Sequence, residues 1–149
     1  MILPDFKVFP RTGRILGVDW GRARIGLAVS DSNRDFVFVR PVVNVVRGAD
    51  THADIVAKIA LAESVVGIAV GLPTRNDGTE SETTQMVRDF VNKLATKTDL
   101  PICMIEENLT SVAAQESMGR VRVRDIKQKL DSESARVILE NAIAMIKRA

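Results

Sequence analysis

Hydrophobic and polar positions alternate in blocks along this chain, and the period of each block predicts an element. The stretch ILGVDW (Ile15–Trp20) is apolar, and after a short connection containing Gly21 the run IGLAVS continues over 25–30. These read as two strands of a hairpin. A third strand is expected over 36–46, interrupted or bent at Pro41. Ile55, Val56, Ile59 and Ala60 recur at helical spacing, predicting a helix capped by Asp50 and running through Glu63. The continuous apolar run SVVGIAVGLP (64–73) suits a strand covered on both faces, as in a parallel sheet. Met86, Val87, Phe90, Val91 and Leu94 predict a helix over about 81–96, and LPICMIEE (100–107) a second buried strand that ends in two carboxylates. A short helix over 111–118 and a last one over 132–147 complete the series, the latter carrying Ala135, Ile138, Leu139, Ala142, Ile143 and Ile146 on one side. Three strands followed by alternating helices and strands predict an α/β fold. Its sheet is mixed and five-stranded, antiparallel then parallel, with helices on both faces.

Composition narrows the setting. At 149 residues, 46% hydrophobic and 27% charged, the chain is expected to form one domain over 1–149. No repeat or linker divides it. Residues 1–13 stand as an N-terminal extension to which no role is assigned. Pro4, Asp5, Lys7 and Pro10 interrupt it, so it lacks the apolar centre of a secretory signal. No apolar run approaches the roughly 20 residues of a membrane span, and the single cysteine, Cys103, leaves no intramolecular disulfide. A cytoplasmic protein without membrane attachment is the expectation. Cys103, inside PICMI, is expected to be buried and inert.

The net charge of +2 says little, but its distribution is uneven. GRVRVRDIKQK (119–129) carries Arg120, Arg122, Arg124, Lys127 and Lys129 against Asp125 alone. It reads either as a solvated loop or as a segment that tracks a nucleic-acid backbone by displacing counterions. If extended, it would set its three arginines on one side. With no tyrosine and six aromatics in all, contact is expected with backbone and shape, not through a stacking platform for bases.

Acidic residues supply the candidate chemistry. Asp is among the poorest strand formers, yet Asp19 ends an apolar strand. Leu16, Val18 and Trp20 share one face of that strand, and Ile15 and Gly17 share the face of Asp19. A covered carboxylate needs a partner, either Arg22 or Arg24 as an ion pair, or a cation. Glu106 and Glu107 end the last strand, where they are either a polar exit or ligands. Asp131 stands before the last helix, as an N-cap or as a ligand. In open α/β sheets ligands collect outside the carboxyl ends of the strands. Carboxylates converging there raise one another's pKa unless a hard cation such as Mg²⁺ compensates them.

Four blocks now carry a resemblance: GVDWGRARIGLAVSD (17–31), VGLPTRNDGTE (70–80), EENLTS (106–111) and LDSESARVIL (130–139). Together, in this order, they resemble the signature blocks of the YqgF family, small bacterial proteins with a ribonuclease-H-like fold related to the RuvC resolvases. The resemblance implies a metal-dependent nuclease that trims the 5′ end of pre-16S ribosomal RNA in ribosome biogenesis. Its alternatives are a resolvase of branched DNA junctions and a non-catalytic protein bound to ribosomal particles. Carried over by position, the implied catalytic and metal-ligating residues are Asp19, Glu107 and Asp131, holding Mg²⁺ or Mn²⁺, with Glu106 a rival to Glu107. The chain departs from the family motif at Glu106, where Asp is usual, and at Asn108, where an Arg normally contacts phosphate. Arg75, Arg120, Arg122, Arg124, Lys127 and Lys129 are the expected nucleic-acid contacts, and the protein a monomer or homodimer.

The remaining candidates are secondary. The turn sequence RNDGT after Gly71 reads as a strand-to-helix connection or as a phosphate-approaching loop, which keeps Asp77 and Glu80 as reserve ligands. His52 reads as a surface or capping residue. Neither a P-loop nor a dinucleotide fingerprint is present.

Overall fold

A computed structural model describes residues 1–45, 52–75, 79–107 and 123–149, with side chains throughout except at Glu107 and over 123–132. The strands are β1 (Ile2–Leu3), β2 (Ile15–Trp20), β3 (Arg24–Ser30), β4 (Val37–Asn44), β5 (Gly67–Pro73) and β6 (Ile102–Glu107). The helices are α1 (His52–Ala62), α2 (Glu82–Lys97) and α3 (Val123–Arg148). All six strands form one sheet in the order β1-β6-β5-β2-β3-β4. The β2, β3 and β4 strands form the expected antiparallel meander, and β5 and β6 run parallel to β2.

Strand alternation divides the core in two. Leu16, Val18, Ile68 and Val70 face α1 and α2, meeting Val56, Ala60, Val87, Phe90 and Leu94. Ile15, Ala28, Ala69 and Cys103 face α3, meeting Ala135, Ile138, Leu139, Ala142 and Ile146. Covering on both faces explains the unbroken apolar runs of β5 and β6. Burial pushes the Cys103 thiol up to about 12, so it stays protonated and unreactive. The N-terminus of α2 is held by a capping box between Ser81 and Thr84. The Thr84 hydroxyl also donates to the Pro73 carbonyl, fixing the helix start to the end of β5.

Three expectations need correction or refinement. The sheet has a sixth strand, because Ile2 and Leu3 pair in parallel with Ile102 and Cys103. Residues 1–13 are therefore built into the fold. Phe6 and Phe9 are buried edge to face at 5.4 Å, and the Arg11 guanidinium donates to the carbonyls of Ile146 and Ala149, both at 3.0 Å. Those carbonyls belong to the C-terminal end of α3, where a cation is favoured. A two-residue strand is too short to show a period, which is why sequence pattern missed it. Second, of the interruption or bend expected at Pro41, the structure shows the bend, and β4 runs on through it. Pro41 and Val42 stand opposite Gly26, a bulge on an edge strand, where a missing N–H is tolerated.

Third, α3 begins at Val123, not at 132. Asp131 is therefore interior to the helix and is not its N-cap. Arg124, Lys127 and Lys129 lie on helix and not on an extended segment. The expected helix over 111–118, the Asp50 cap, Asp77, Asn108, Arg120 and Arg122 lie outside the described residues.

The pole of the sheet opposite its carboxyl edges is tied by Glu63, which accepts from Arg14 at 2.8 Å and from Arg40 at 2.7 and 3.3 Å. The hydrogen bond from Arg40, then its charge and that of Arg14, hold the Glu63 carboxyl below its ordinary value against the opposing effect of burial. A depressed carboxylate pKa stabilises the fold above the unfolded value near 4.5, and that stabilisation is lost as pH falls through the folded value. Glu63→Gln should thus lower the midpoint of thermal unfolding at neutral pH and leave it unchanged well below pH 4, by a modest amount, about 1 kcal/mol at most for partly exposed partners. Melting curves across that range check it.

Candidate active site

The parallel register sets the levels of the acidic positions. Gly17 pairs with Ala69 and Val18 with Val70, while Gly71 pairs with Ile105 and Pro73 with Glu107. Asp19, one residue beyond Val18, is level with Gly71 and Ile105 at the carboxyl edge of the sheet. Alternation places Asp19 on the face of Ile15 and Gly17, which is the α3 face. On β6 the same face holds Cys103, Ile105 and, two residues on, position 107. Glu106 falls on the other face with Leu72 and is exposed. Only position 107 shares a face with Asp19, across the intervening β5.

Helix α3 crosses this face antiparallel to β2. Its C-terminal carbonyls meet Arg11, ahead of the N-terminal end of β2, and its middle sits on Gly17. A Cβ on Gly17 would stand 2.7 Å from Leu139 Cβ and 3.0 Å from the Ala135 carbonyl. One on Gly71 would run into Ile138 Cδ1. Both glycines are there to let the helix approach. Asp131 precedes Ala135 by one turn, about 6 Å along the axis, on the same stripe of the helix as Ala135, Ile138 and Leu139. The backbone thereby brings position 131 over the end of β2, next to the level of Asp19. Gly17→Val should cost about 1–3 kcal/mol by overpacking, and should weaken divalent-metal binding as well, because the helix carrying position 131 is pushed away. Denaturant unfolding and metal titration on the same preparation check both effects.

Of the candidate basic positions, those among the described residues fall on the same edge. Residues 123–130 form the part of α3 that precedes Asp131 and continues beyond the sheet, carrying Arg124, Lys127 and Lys129. Arg75 is exposed just past β5, its N–H donating to the Thr79 carbonyl at 2.9 Å. Asp19 itself is half-buried. Arg22 lies 3.8 Å from Glu82. Glu80, a reserve ligand, accepts from Arg88 Nε at 2.5 Å and is committed to α2. Among the described residues no three Asp, Glu, His or Cys side chains cluster as a cation site, a description that does not include the side chains of Glu107 and Asp131. No helix among the described residues is long and apolar enough to cross a membrane.

A mixed sheet with an antiparallel meander, parallel β5 and β6, and a long helix across one face is the arrangement of the ribonuclease-H-like fold. The chain shares its fold with RuvC of Thermus thermophilus in complex with a Holliday junction substrate, at a TM-score of 0.56 and 12% identity, over 91% of this chain and 96% of that one. A second Thermus thermophilus RuvC structure gives a TM-score of 0.52 at 14% identity, over 87% and 93% of the two chains. Residues 13–145 match the model of the RuvX family, described as Holliday junction resolvase, and the chain belongs to that family. Among its relatives, a protein of Maridesulfovibrio salexigens described as "Putative pre-16S rRNA nuclease" is 35% identical over 88% of this chain and 98% of its own length. One from Rhizobium rhizogenes with the same description is 36% identical, over 96% of this chain and 88% of its own.

Proposed function

We propose that this protein is a metal-dependent nuclease that hydrolyses phosphodiester bonds in maturation of the 5′ end of the 16S ribosomal RNA precursor. The observation that carries the reading is the placement of Asp19 and positions 107 and 131 on one face at the carboxyl edge of the sheet. The descriptions of relatives such as those from Maridesulfovibrio salexigens and Rhizobium rhizogenes supply the substrate. Three carboxylates with no nitrogen or sulfur donor form a hard oxygen set, which fits Mg²⁺ or Mn²⁺. In this reading Asp19, Glu107 and Asp131 hold the cation and fix its position against the strand. When bound, the ion supplies an activated water and neutralises charge on the leaving 3′ oxygen. Arg75, Arg120, Arg122, Arg124, Lys127 and Lys129 attract the phosphate backbone and set its register without reading sequence. The chain would act in the cytoplasm as a monomer or homodimer, on free precursor or on ribosomal particles.

The family description and the RuvC fold favour a second reading, cleavage of four-way DNA junctions, on the same residues. One experiment separates the two. Purified protein is incubated with 16S precursor and with a synthetic junction, each with Mn²⁺ or with EDTA. Cleavage of the precursor, suppressed by EDTA, is expected. Cleavage of the junction alone selects the resolvase. Binding with no metal-dependent cleavage of either leaves a non-catalytic binding protein.

A further inference from the structure

On the opposite face from Asp19, at the same end of β2, lies a cleft of about 210 Å³ that the proposed cleavage chemistry does not use. Trp20, Met86 and Phe90 give it an apolar wall, and His52, Asp89 and Lys93 give it polar groups. Trp20 is half-buried. Its ring centre is 6.5 Å from that of Phe90, with the planes inclined at 36°. Phe90 is itself buried in the core, so it braces the indole. Asp89 Oδ1 accepts from Gln85 Nε2 at 3.0 Å, which orients the carboxylate.

From this we infer that the cleft is a subsite for one unpaired nucleobase, from the strand whose phosphate lies at Asp19. The inference rests on the nuclease reading and adds to it a preference for an unstacked nucleotide at the cleavage site. Its chemistry is that of a base. An aromatic surface of this size stacks on any base, worth about 1–3 kcal/mol. Lys93 donates, Asp89 accepts and His52 can do either, which matches an edge presenting both donors and acceptors. A carboxylate and a cation beside an aromatic wall suit a planar ring with a polar edge better than an anion or an aliphatic chain. Asp19 and Trp20 are neighbours at the end of β2 with side chains on opposite faces, so the two sites are reached by a strand that passes round that end. A strand crossing the sheet edge would set its phosphate on the α3 side and its base on the α1 and α2 side. A paired base inside a duplex cannot enter such a cleft without being unstacked. The scarcity of aromatic residues predicted contact with backbone and shape, and a base stacked on Trp20 departs from that expectation, because one ring placed at the strand end is enough to stack one base.

Trp20 is the only tryptophan of the chain, so its fluorescence reports on the cleft directly. Wild-type protein in EDTA is titrated with a short single-stranded RNA, while anisotropy of a label on the RNA measures binding separately. Quenching of Trp20 is expected. In a scan that moves one abasic nucleotide along the RNA, a single position should abolish the quenching and weaken binding about tenfold or more. Trp20→Leu should raise KM by a similar factor with kcat nearly retained, and Trp20→Phe should restore most of the loss. RNA that binds with unchanged Trp20 fluorescence and a flat abasic scan overturns the subsite and leaves the nuclease reading intact. Protein that neither binds nor cleaves any RNA overturns both. The fluorescence measurement needs no variant, so it stands even where Trp20→Leu fails to fold.

Discussion

Asp19→Asn is expected to reduce metal-dependent cleavage by about a thousandfold or more while the fold persists. The substitution keeps the shape of the side chain and removes the negative charge. A carboxylate that holds a catalytic cation contributes several kcal/mol of charge stabilisation, and each 1.36 kcal/mol is about tenfold in rate. Thermal stability without metal should change little, because Asn keeps the shape and a hydrogen-bonding oxygen of Asp. Calorimetric titration should show weakened divalent-metal binding in parallel with the lost cleavage. Undiminished cleavage by this variant would remove Asp19 from the mechanism. Lost cleavage with a lowered melting temperature would instead make Asp19 a structural residue.

The second large effect concerns the N-terminal segment. Phe9 is 1% exposed, and its ring lies so close to Gly67 that a Cβ there would overlap it. Phe9→Ala should cost about 3–5 kcal/mol, the usual range for emptying a buried aromatic site. In a chain of this length that lowers the melting temperature by on the order of 10 °C. Phe9 packs in the same cluster as Ile138 and Leu139, the residues that seat α3 on the sheet. The variant should therefore also lose part of its metal affinity, although Phe9 is at the far end of the molecule from Asp19. A stability loss below about 1 kcal/mol would show that the Phe9 contact does not hold this segment to the core.

Much of the molecule was legible in its residue pattern, for reasons that particular elements make clear. β2 was expected over Ile15–Trp20 and is found there, because Leu16, Val18 and Trp20 alternate with Ile15, Gly17 and Asp19 between two covered faces. Apolar spacing predicted α2 over about 81–96, and it is found over Glu82–Lys97, with the Ser81 cap shown only by the structure. At the N-terminus of α3 the expected boundary differs from the observed one. Asp131 has the chemistry of a cap, and the basic run before it has the composition of a loop, yet helix continues back to Val123. Local propensity is worth only tenths of a kcal/mol per residue, so it does not decide such a boundary.

What the sequence alone determined was the alternation of buried and polar positions, and with it the elements, the mixed sheet, the acidic candidates and the family likeness. All of these depend on neighbours a few residues apart, whose periods of 2 and 3.6 are written in the chain. Tertiary structure decided that position 107 and not 106 shares a face with Asp19, and that the first residues complete the sheet. It also decided that Trp20 and Phe90 open a cleft beside the acidic edge. Those relations join residues about 70 to 100 positions apart, and their geometry is set by strand register and by the closeness with which α3 packs on Gly17 and Gly71. No local period encodes them, because the energy that selects them is gained only when distant surfaces leave water together.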